Sequence, residues 1–185
     1  VRADLVDTII EMKKKYIDTG RIDYIIIETT GMADPAPILQ TFLLNDEVAE
    51  FTKIDSCLTI CDSTQIKLRM EEDREEGCDN EAVEQICFAD KIFLNKVDLA
   101  DKDRLDAAKA KIRENNKFAP IEEVQCNDEE NPLVKLLDLD CFSIKRALEI
   151  EPEILEDGDD ADHKHDSRIG TFSYRMPAEM TLESS

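Results

Sequence analysis

The sequence predicts an α/β fold with a doubly wound, mostly parallel β-sheet. Short apolar runs, rich in β-branched or aromatic residues, alternate along the chain with helical patterns, as in sheets with right-handed crossovers. Two of these runs also end in polar residues that can hold a nucleotide. Ligands of open α/β sheets bind beyond the carboxyl ends of parallel strands, so both runs point to one rim of the sheet.

The individual elements follow from the period of the apolar residues. At the start of the chain apolar residues recur at mostly helical spacing, and Gly20 ends this pattern. Later, Leu105, Ala108 and Ile112 share one helical face. In chain order we predict a helix over 2–18, a strand over 23–28, a helix over 35–44, a strand over 55–61, a charged segment ending as a helix over 81–88, a strand over 91–95, a helix over 101–116 and a strand over 121–125.

Composition argues against two classes of partner. The chain has 44 Asp and Glu against 23 Lys and Arg, a net charge of -21, which repels nucleic acids and anionic membranes at long range. No apolar stretch reaches the roughly 20 residues that span a bilayer.

The six cysteines form no Cys-x-x-Cys pair, which fits a reducing compartment. We therefore expect a cytoplasmic protein, unless an organelle address lies upstream of Val1.

A composition shift at Glu149 divides the chain. Residues 1–148 are predicted to form the α/β domain, and 149–166 an acidic linker without helical or strand periodicity. Residues 167–185 alternate at first like a half-buried strand and are predicted to open a second domain. The chain also begins with Val and stops soon after this strand begins. We expect both ends to be cuts in a longer protein.

The first polar strand end, Asn95 to Asp98, has the residues that a guanine reader needs. Asp98 can accept two hydrogen bonds from the N1 and N2 hydrogens of guanine, and Asn95 can donate one to N7. Adenine offers neither donor, so the buried polar groups would stay unpaired. Lys96 can lay its methylene stem over the base. The alternative is an ordinary polar turn between a strand and a helix.

The second polar strand end, Glu28 to Gly31, suits the phosphate end of a nucleotide. A carboxylate at Glu28 can hold the water shell of Mg²⁺, and Gly31 lets its backbone N–H approach a γ-phosphate closely. The alternative for Glu28 is a charge that faces solvent. After the fourth strand, a backbone N–H near Cys126 could meet the guanine O6, although Asn127 and Asp128 could equally form a plain turn.

At this point the sequence resembles the CobW-type GTPases, a metallochaperone family within the P-loop NTPases. Glu28 to Pro35 is similar to the family's third GTPase motif, in which Glu replaces the usual Asp, and Gln85 to Leu99 to its guanine motif. The resemblance implies a P-loop NTPase-type sheet, GTP and Mg²⁺ as cofactors, and GTP hydrolysis. It also implies zinc or cobalt as cargo and a client metalloprotein as partner, and it leaves a homodimer open.

Two motifs of that family do not occur in this sequence. It contains neither a Gly-x-x-x-x-Gly-Lys-Ser/Thr phosphate loop nor a Cys-x-Cys-Cys motif, so we expect this chain alone not to turn over GTP. His163 and His165 could bind a metal weakly, but a solvated linker with two incidental histidines is the favoured interpretation. The alternative function is a non-catalytic, acidic α/β module that docks a basic partner.

Overall fold

The computed structural model describes residues 2–72, 80–125 and 136–156. In chain order the elements are α1 (Arg2–Met12), a π-helical turn (Lys13–Ile17), α2 (Ala36–Leu44), α3 (Asp46–Ala49), β1 (Leu58–Asp62), α4 (Ile66–Met70), α5 (Glu81–Phe88), β2 (Lys91–Asn95), a 3₁₀ turn (Val97–Leu99), α6 (Lys102–Asn115), β3 (Ile121–Glu123), α7 (Ile144–Ile150) and a second 3₁₀ turn (Pro152–Leu155).

The described strands form one parallel sheet in the order β1-β2-β3. Asp62 at the end of β1 lies opposite Asn95 at the end of β2, and Leu94 lies opposite Glu123 of β3. Because all three strands run in the same direction, their carboxyl ends share one rim. The mixed α/β fold with a parallel sheet, predicted from the alternation of strands and helices, is confirmed.

The predicted helices are present, and local capping explains several of their ends. Asn80 accepts hydrogen bonds from the first turn of α5, and Asp101 accepts one from Arg104 N at the start of α6. The first predicted helix ends as a π-turn, in which Asp18 N donates to Lys13 O at 3.0 Å. None of the described helices is both long and apolar enough to cross a bilayer.

The main core lies between the sheet and helices α4, α5 and α6. Ile92 and Leu94 alternate along β2 so that both side chains reach this layer, and each is fully buried. Burial of an aliphatic side chain of this size contributes about 1.5–3 kcal/mol to folding. The buried residues of this cluster are Cys61, Ile66, Met70, Ile86, Ala89, Ile92, Leu94, Ala108, Ile112 and Ala119.

A second core cluster joins α2 and α7 to the 3₁₀ turn Pro152–Leu155. Ile154 is fully buried there, although its neighbours Glu153 and Glu156 are exposed. Among residues 151–156 Ile154 alone is buried, so no apolar periodicity indicates this contact. The packed body therefore extends beyond the domain boundary predicted at residue 148. The remainder of the predicted linker and the segment 167–185 lie outside the described residues.

The prediction of a strand over residues 23–28 is wrong. These residues join no ladder in the described structure, and Tyr24, Ile26 and Ile27 expose 45%, 66% and 37% of their surface. A β-branched run becomes a strand only where a neighbour supplies ladder hydrogen bonds and a packed face. On the outer side of β1, where Ile60 is 60% exposed, the described residues provide no such neighbour.

Candidate nucleotide site at the carboxyl rim of the sheet

The ends of β1 and β2 are joined beyond the ladder by one buried serine. Ser63 N donates to Asn95 O at 2.9 Å, and Ser63 Oγ donates to Lys96 O at 3.0 Å. Only 3% of Ser63 is exposed, so both hydrogen bonds lie in a water-poor environment. The loop that follows β2 is therefore fixed from the neighbouring strand.

Lys96 adopts a backbone conformation that is uncommon for a residue with a Cβ. Its φ and ψ are 60° and 36°, in the left-handed region. Its Nζ lies 2.7 Å from Asp62 Oδ2, whereas Asp62 Oδ1 accepts hydrogen bonds from Thr64 N and Thr64 Oγ1. Both the backbone and the side chain of Lys96 thus contact the end of β1.

The Asp62 carboxylate is stabilised in its ionised form. Burial raises its pKa, but the hydrogen bonds from Lys96 and Thr64 together outweigh burial, and the pKa lies below the ordinary value for an aspartate. The contribution of this ion pair to folding is present above the unfolded-state pKa, about 3.9, and is lost as the pH falls through the lowered folded-state pKa.

The remaining guanine-motif residues occupy the same rim. Asn95 ends β2 and is half-buried, and Asp98 is exposed in the 3₁₀ turn Val97–Leu99. The backbone on either side of Asp98 is fixed, because Leu99 N donates to Lys96 O at 3.0 Å and Asp101 caps α6. The structure thus presents the Asp98 carboxylate to solvent from an ordered loop.

Glu28 and Gly31 lie in a different environment. Both are exposed, in the segment that joins no ladder. The turn that contains Gly31 is attached to α5, because Gln85 Nε2 donates to Thr30 O at 3.2 Å and to Ala33 O at 2.7 Å. Within the described residues, no hydrogen bond or ion pair joins Glu28 or Gly31 to Asp98. The convergence of the two motifs on one nucleotide stays a prediction.

Metal ligation has little support in the described part of the chain. Burial raises the pKa of the Cys57 and Cys61 thiols to about 12 each, so both are neutral apolar groups at pH 7. The described residues hold no group of three or more potential metal ligands. Cys126, His163 and His165 lie outside the described residues.

The sequence-based predictions did not include three residues with specific contacts here: Asp62 and Ser63 at the rim, and Gln85 at the turn that contains Gly31. A signal for the first two was present, because Asp62 and Ser63 are polar residues at the end of an apolar strand, as Asn95 and Lys96 are. The rule that located the guanine motif would have located them too. Gln85 carries no such signal, since a glutamine within a helix is usually a solvated residue.

Comparison with known proteins decides the family. A family model described as the CobW/HypB/UreG nucleotide-binding domain matches residues 1–123, well over half of the chain. The chain belongs to this family. The matched residues include the three described strands and the loop after β2.

Curated relatives carry names of GTPases and zinc chaperones. The chain is 29% identical over 180 residues to the zinc-regulated GTPase metalloprotein activator 1 of Schizosaccharomyces pombe, covering 89% of this chain and 42% of the relative. It is 30% identical over 166 residues to the protein of the same name in Saccharomyces cerevisiae, covering 83% and 37%. This member of the CobW/HypB/UreG family therefore spans less than half the length of the relatives it matches.

A solved structure supports the same fold. The crystal structure of the Zn(II)-bound YjiA GTPase from Escherichia coli matches with a TM-score of 0.57 and 28% identity, covering 69% of this chain and 37% of that chain. The parallel sheet and the rim are thus consistent with a P-loop NTPase-type fold.

Proposed function

We propose that this chain is the guanine-reading part of a GTP-binding and GTP-hydrolysing metallochaperone that delivers zinc or cobalt to a client metalloprotein. The observation that carries the proposal is the loop from Asn95 to Asp98, which lies at the carboxyl rim of a parallel sheet and is fixed there by Ser63. Ordered polar groups at that rim are where open α/β sheets bind their ligands.

At the base end, Asp98 accepts two hydrogen bonds from the N1 and N2 hydrogens of guanine, and Asn95 donates to N7. Lys96 covers the base with its methylene stem, and a backbone N–H near Cys126 completes the contact at O6. The exposed Asp98 carboxylate and the fixed backbone around it support this assignment, because the loop needs little rearrangement on binding.

At the phosphate end, Glu28 would hold Mg²⁺ through the ion's water shell, and the ion would neutralise charge on the phosphates. The exposed carboxylate of Glu28 is a suitable hard oxygen donor. Gly31 brings its N–H close to the γ-phosphate. The fold itself does not require glycine at this position, since its φ is not positive and an added Cβ would meet nothing within 4 Å. Close approach of a ligand supplies a reason for it.

The proposed cargo is inferred from the relatives of this chain. The names of the relatives, zinc-regulated GTPase metalloprotein activator and, for YjiA of Escherichia coli, zinc chaperone, favour zinc over cobalt. Cys61 is buried in the main core and Cys57 packs against the second core cluster, so we assign neither thiol to the cargo. We place the protein in the cytoplasm, with a client metalloprotein rather than nucleic acid or a membrane as partner, and we leave homodimer formation as an expectation from the family resemblance.

Nucleotide selectivity tests the proposal. We expect the protein expressed from its complete reading frame to bind GTP more tightly than ATP by on the order of 10² or more, because adenine leaves the Asp98 carboxylate without donors. Titration calorimetry with both nucleotides measures this ratio. Equal affinities would remove the guanine assignment. Absence of binding to either nucleotide would favour the non-catalytic acidic interaction module.

The phosphate-end assignment gives a separate kinetic prediction. Glu28→Gln should slow single-turnover GTP hydrolysis by on the order of 10², because the variant loses the charge that orders Mg²⁺ and the phosphates. The affinity for GDP without Mg²⁺ should change by less than about threefold, since the base contacts remain. The matched control is Asp23→Asn, an exposed carboxylate in the same segment. Equal hydrolysis rates for both variants would contradict the role of Glu28.

A further inference from the structure

The end of β1 contacts Lys96 in two independent ways. Ser63 Oγ donates to the Lys96 carbonyl at 3.0 Å, and the Asp62 carboxylate contacts the Lys96 ammonium at 2.7 Å. Nothing in the guanine-motif spacing requires either contact, since both residues are more than thirty positions upstream. One short segment thus controls both the backbone and the side chain of a residue at the base end of the site.

The contact from Ser63 determines a backbone conformation that Lys96 would otherwise avoid. A left-handed conformation of a non-glycine residue persists only when its surroundings enforce it. Here Ser63 uses both its N–H and its hydroxyl on consecutive carbonyls, those of Asn95 and Lys96. The turn that carries Asn95 and Asp98 is therefore held by the residue that directly follows the neighbouring strand β1.

The contact from Asp62 restricts the Lys96 side chain. Lysine has several rotatable bonds, and ordering them on ligand binding lowers affinity. Asp62 is itself held by two hydrogen bonds from Thr64 and is 28% exposed at its side chain, so it is a fixed anchor rather than a mobile surface charge. With its ammonium anchored, the methylene stem of Lys96 is partly ordered before any base arrives.

We propose that Asp62 and Ser63 are positioning residues of the guanine site, which act through Lys96 to pre-order the loop that reads the base. This inference rests on the proposed function, because it assigns the rim loop to a guanine nucleotide. The ligand class is a guanosine phosphate. GDP is the suitable probe, since its affinity does not depend on the γ-phosphate contacts proposed for Glu28 and Gly31.

A double-mutant cycle on the full-length protein tests the role of Asp62. We expect Asp62→Asn to weaken GDP binding about three- to tenfold when Lys96 is present, and by less than about 1.5-fold in a Lys96→Met background. Loss of an anchor that acts only through Lys96 cannot matter once the ammonium is gone. An equal loss in both backgrounds would overturn the proposed action through Lys96.

A matched pair of hydroxyl deletions tests the role of Ser63. Thr59 lies on β1, four residues before Ser63, and its Oγ1 donates to Gln85 O at 2.8 Å, a side-chain-to-carbonyl bond directed to α5 instead of the rim. Ser63→Ala should weaken GDP binding about five- to tenfold, and Thr59→Val by less than twofold, at similar losses of thermal stability. Equal effects on affinity would show a merely structural role and overturn the proposal.

The wild-type protein separates failure of this inference from failure of the proposed function. If the wild type shows no preference for GDP over ADP, the guanine assignment fails and the inference with it. If the wild type prefers GDP but the Asp62 effect is unchanged in the Lys96→Met background, or if the Ser63 variant matches the Thr59 variant, only the positioning role fails.

Discussion

Asp98→Asn is expected to lower the affinity of the full-length protein for GTP by on the order of 10³ and to create affinity for xanthosine triphosphate. The variant loses two charge-assisted hydrogen bonds, each worth about 1.5–3 kcal/mol, and its amide donates where guanine also donates. Xanthine carries an acceptor at the altered position, so the exchanged donor and acceptor match again. Competition against a fluorescent GDP analogue measures both affinities.

The control for this exchange is Asp103→Asn, which makes the same change of charge at an exposed position in the first turn of α6. We expect this variant to keep the wild-type preference for GTP. Because Asp98 is exposed, its replacement should leave the unfolding temperature nearly unchanged. Unchanged GTP affinity in Asp98→Asn, or equal losses in both variants, would contradict the assignment of Asp98 to the base.

Asn116→Ala is expected to destabilise the protein by about 3–5 kcal/mol, because it removes a buried hub that serves several backbone groups. Asn116 Nδ2 donates to Ile86 O at 2.8 Å and to Ala89 O at 2.9 Å. Its Oδ1 accepts from Phe118 N at 3.1 Å and from Ala119 N at 2.9 Å. Only 3% of Asn116 is exposed, so water cannot replace these bonds without opening the core.

The adjacent residue provides the matched control. Asn115 is exposed and makes a single side-chain bond, from Nδ2 to Lys111 O at 3.3 Å, so Asn115→Ala should cost less than about 0.5 kcal/mol. Urea unfolding followed by circular dichroism measures both variants. Asn116→Asp, which keeps the Oδ1 acceptor but sets a second carboxylate oxygen against the carbonyls of Ile86 and Ala89, should destabilise the protein at pH 7 at least as much as Asn116→Ala. Equal stability of the two alanine variants would contradict the structural role assigned to the hydrogen bonds of Asn116.

Elements with strong local signals could be predicted from the sequence. The helix α6 has an aspartate cap and a regular apolar face, and the strand β2 is a short apolar run that ends in a recognised motif. The segment 23–28 has equally strong strand composition but no strand. Pairing with a neighbour is a long-range condition, and composition does not contain it.

The candidate site shows the same division. Asn95, Lys96 and Asp98 were assigned from the sequence because guanine recognition needs those side chains at that spacing, and their role stays a prediction. The contacts of Ser63 at the rim and of Asn116 in the core were not predicted, because each depends on carbonyls about thirty positions away along the chain. Their residue types are ordinary for turns and helix ends, so only the fold distinguishes them from solvated polar residues.

The hydrogen bonds of Gln85 connect the two halves of the proposed nucleotide site mechanically. One amide clamps two carbonyls of the Thr30 to Ala33 turn, and the helix that carries it leads directly into β2, whose last residue is Asn95. If the turn moves, either these two hydrogen bonds break or α5 moves with the turn. Gln85 thus links the turn that contains Gly31 to the helix that precedes β2, the strand that ends in the predicted guanine contact Asn95.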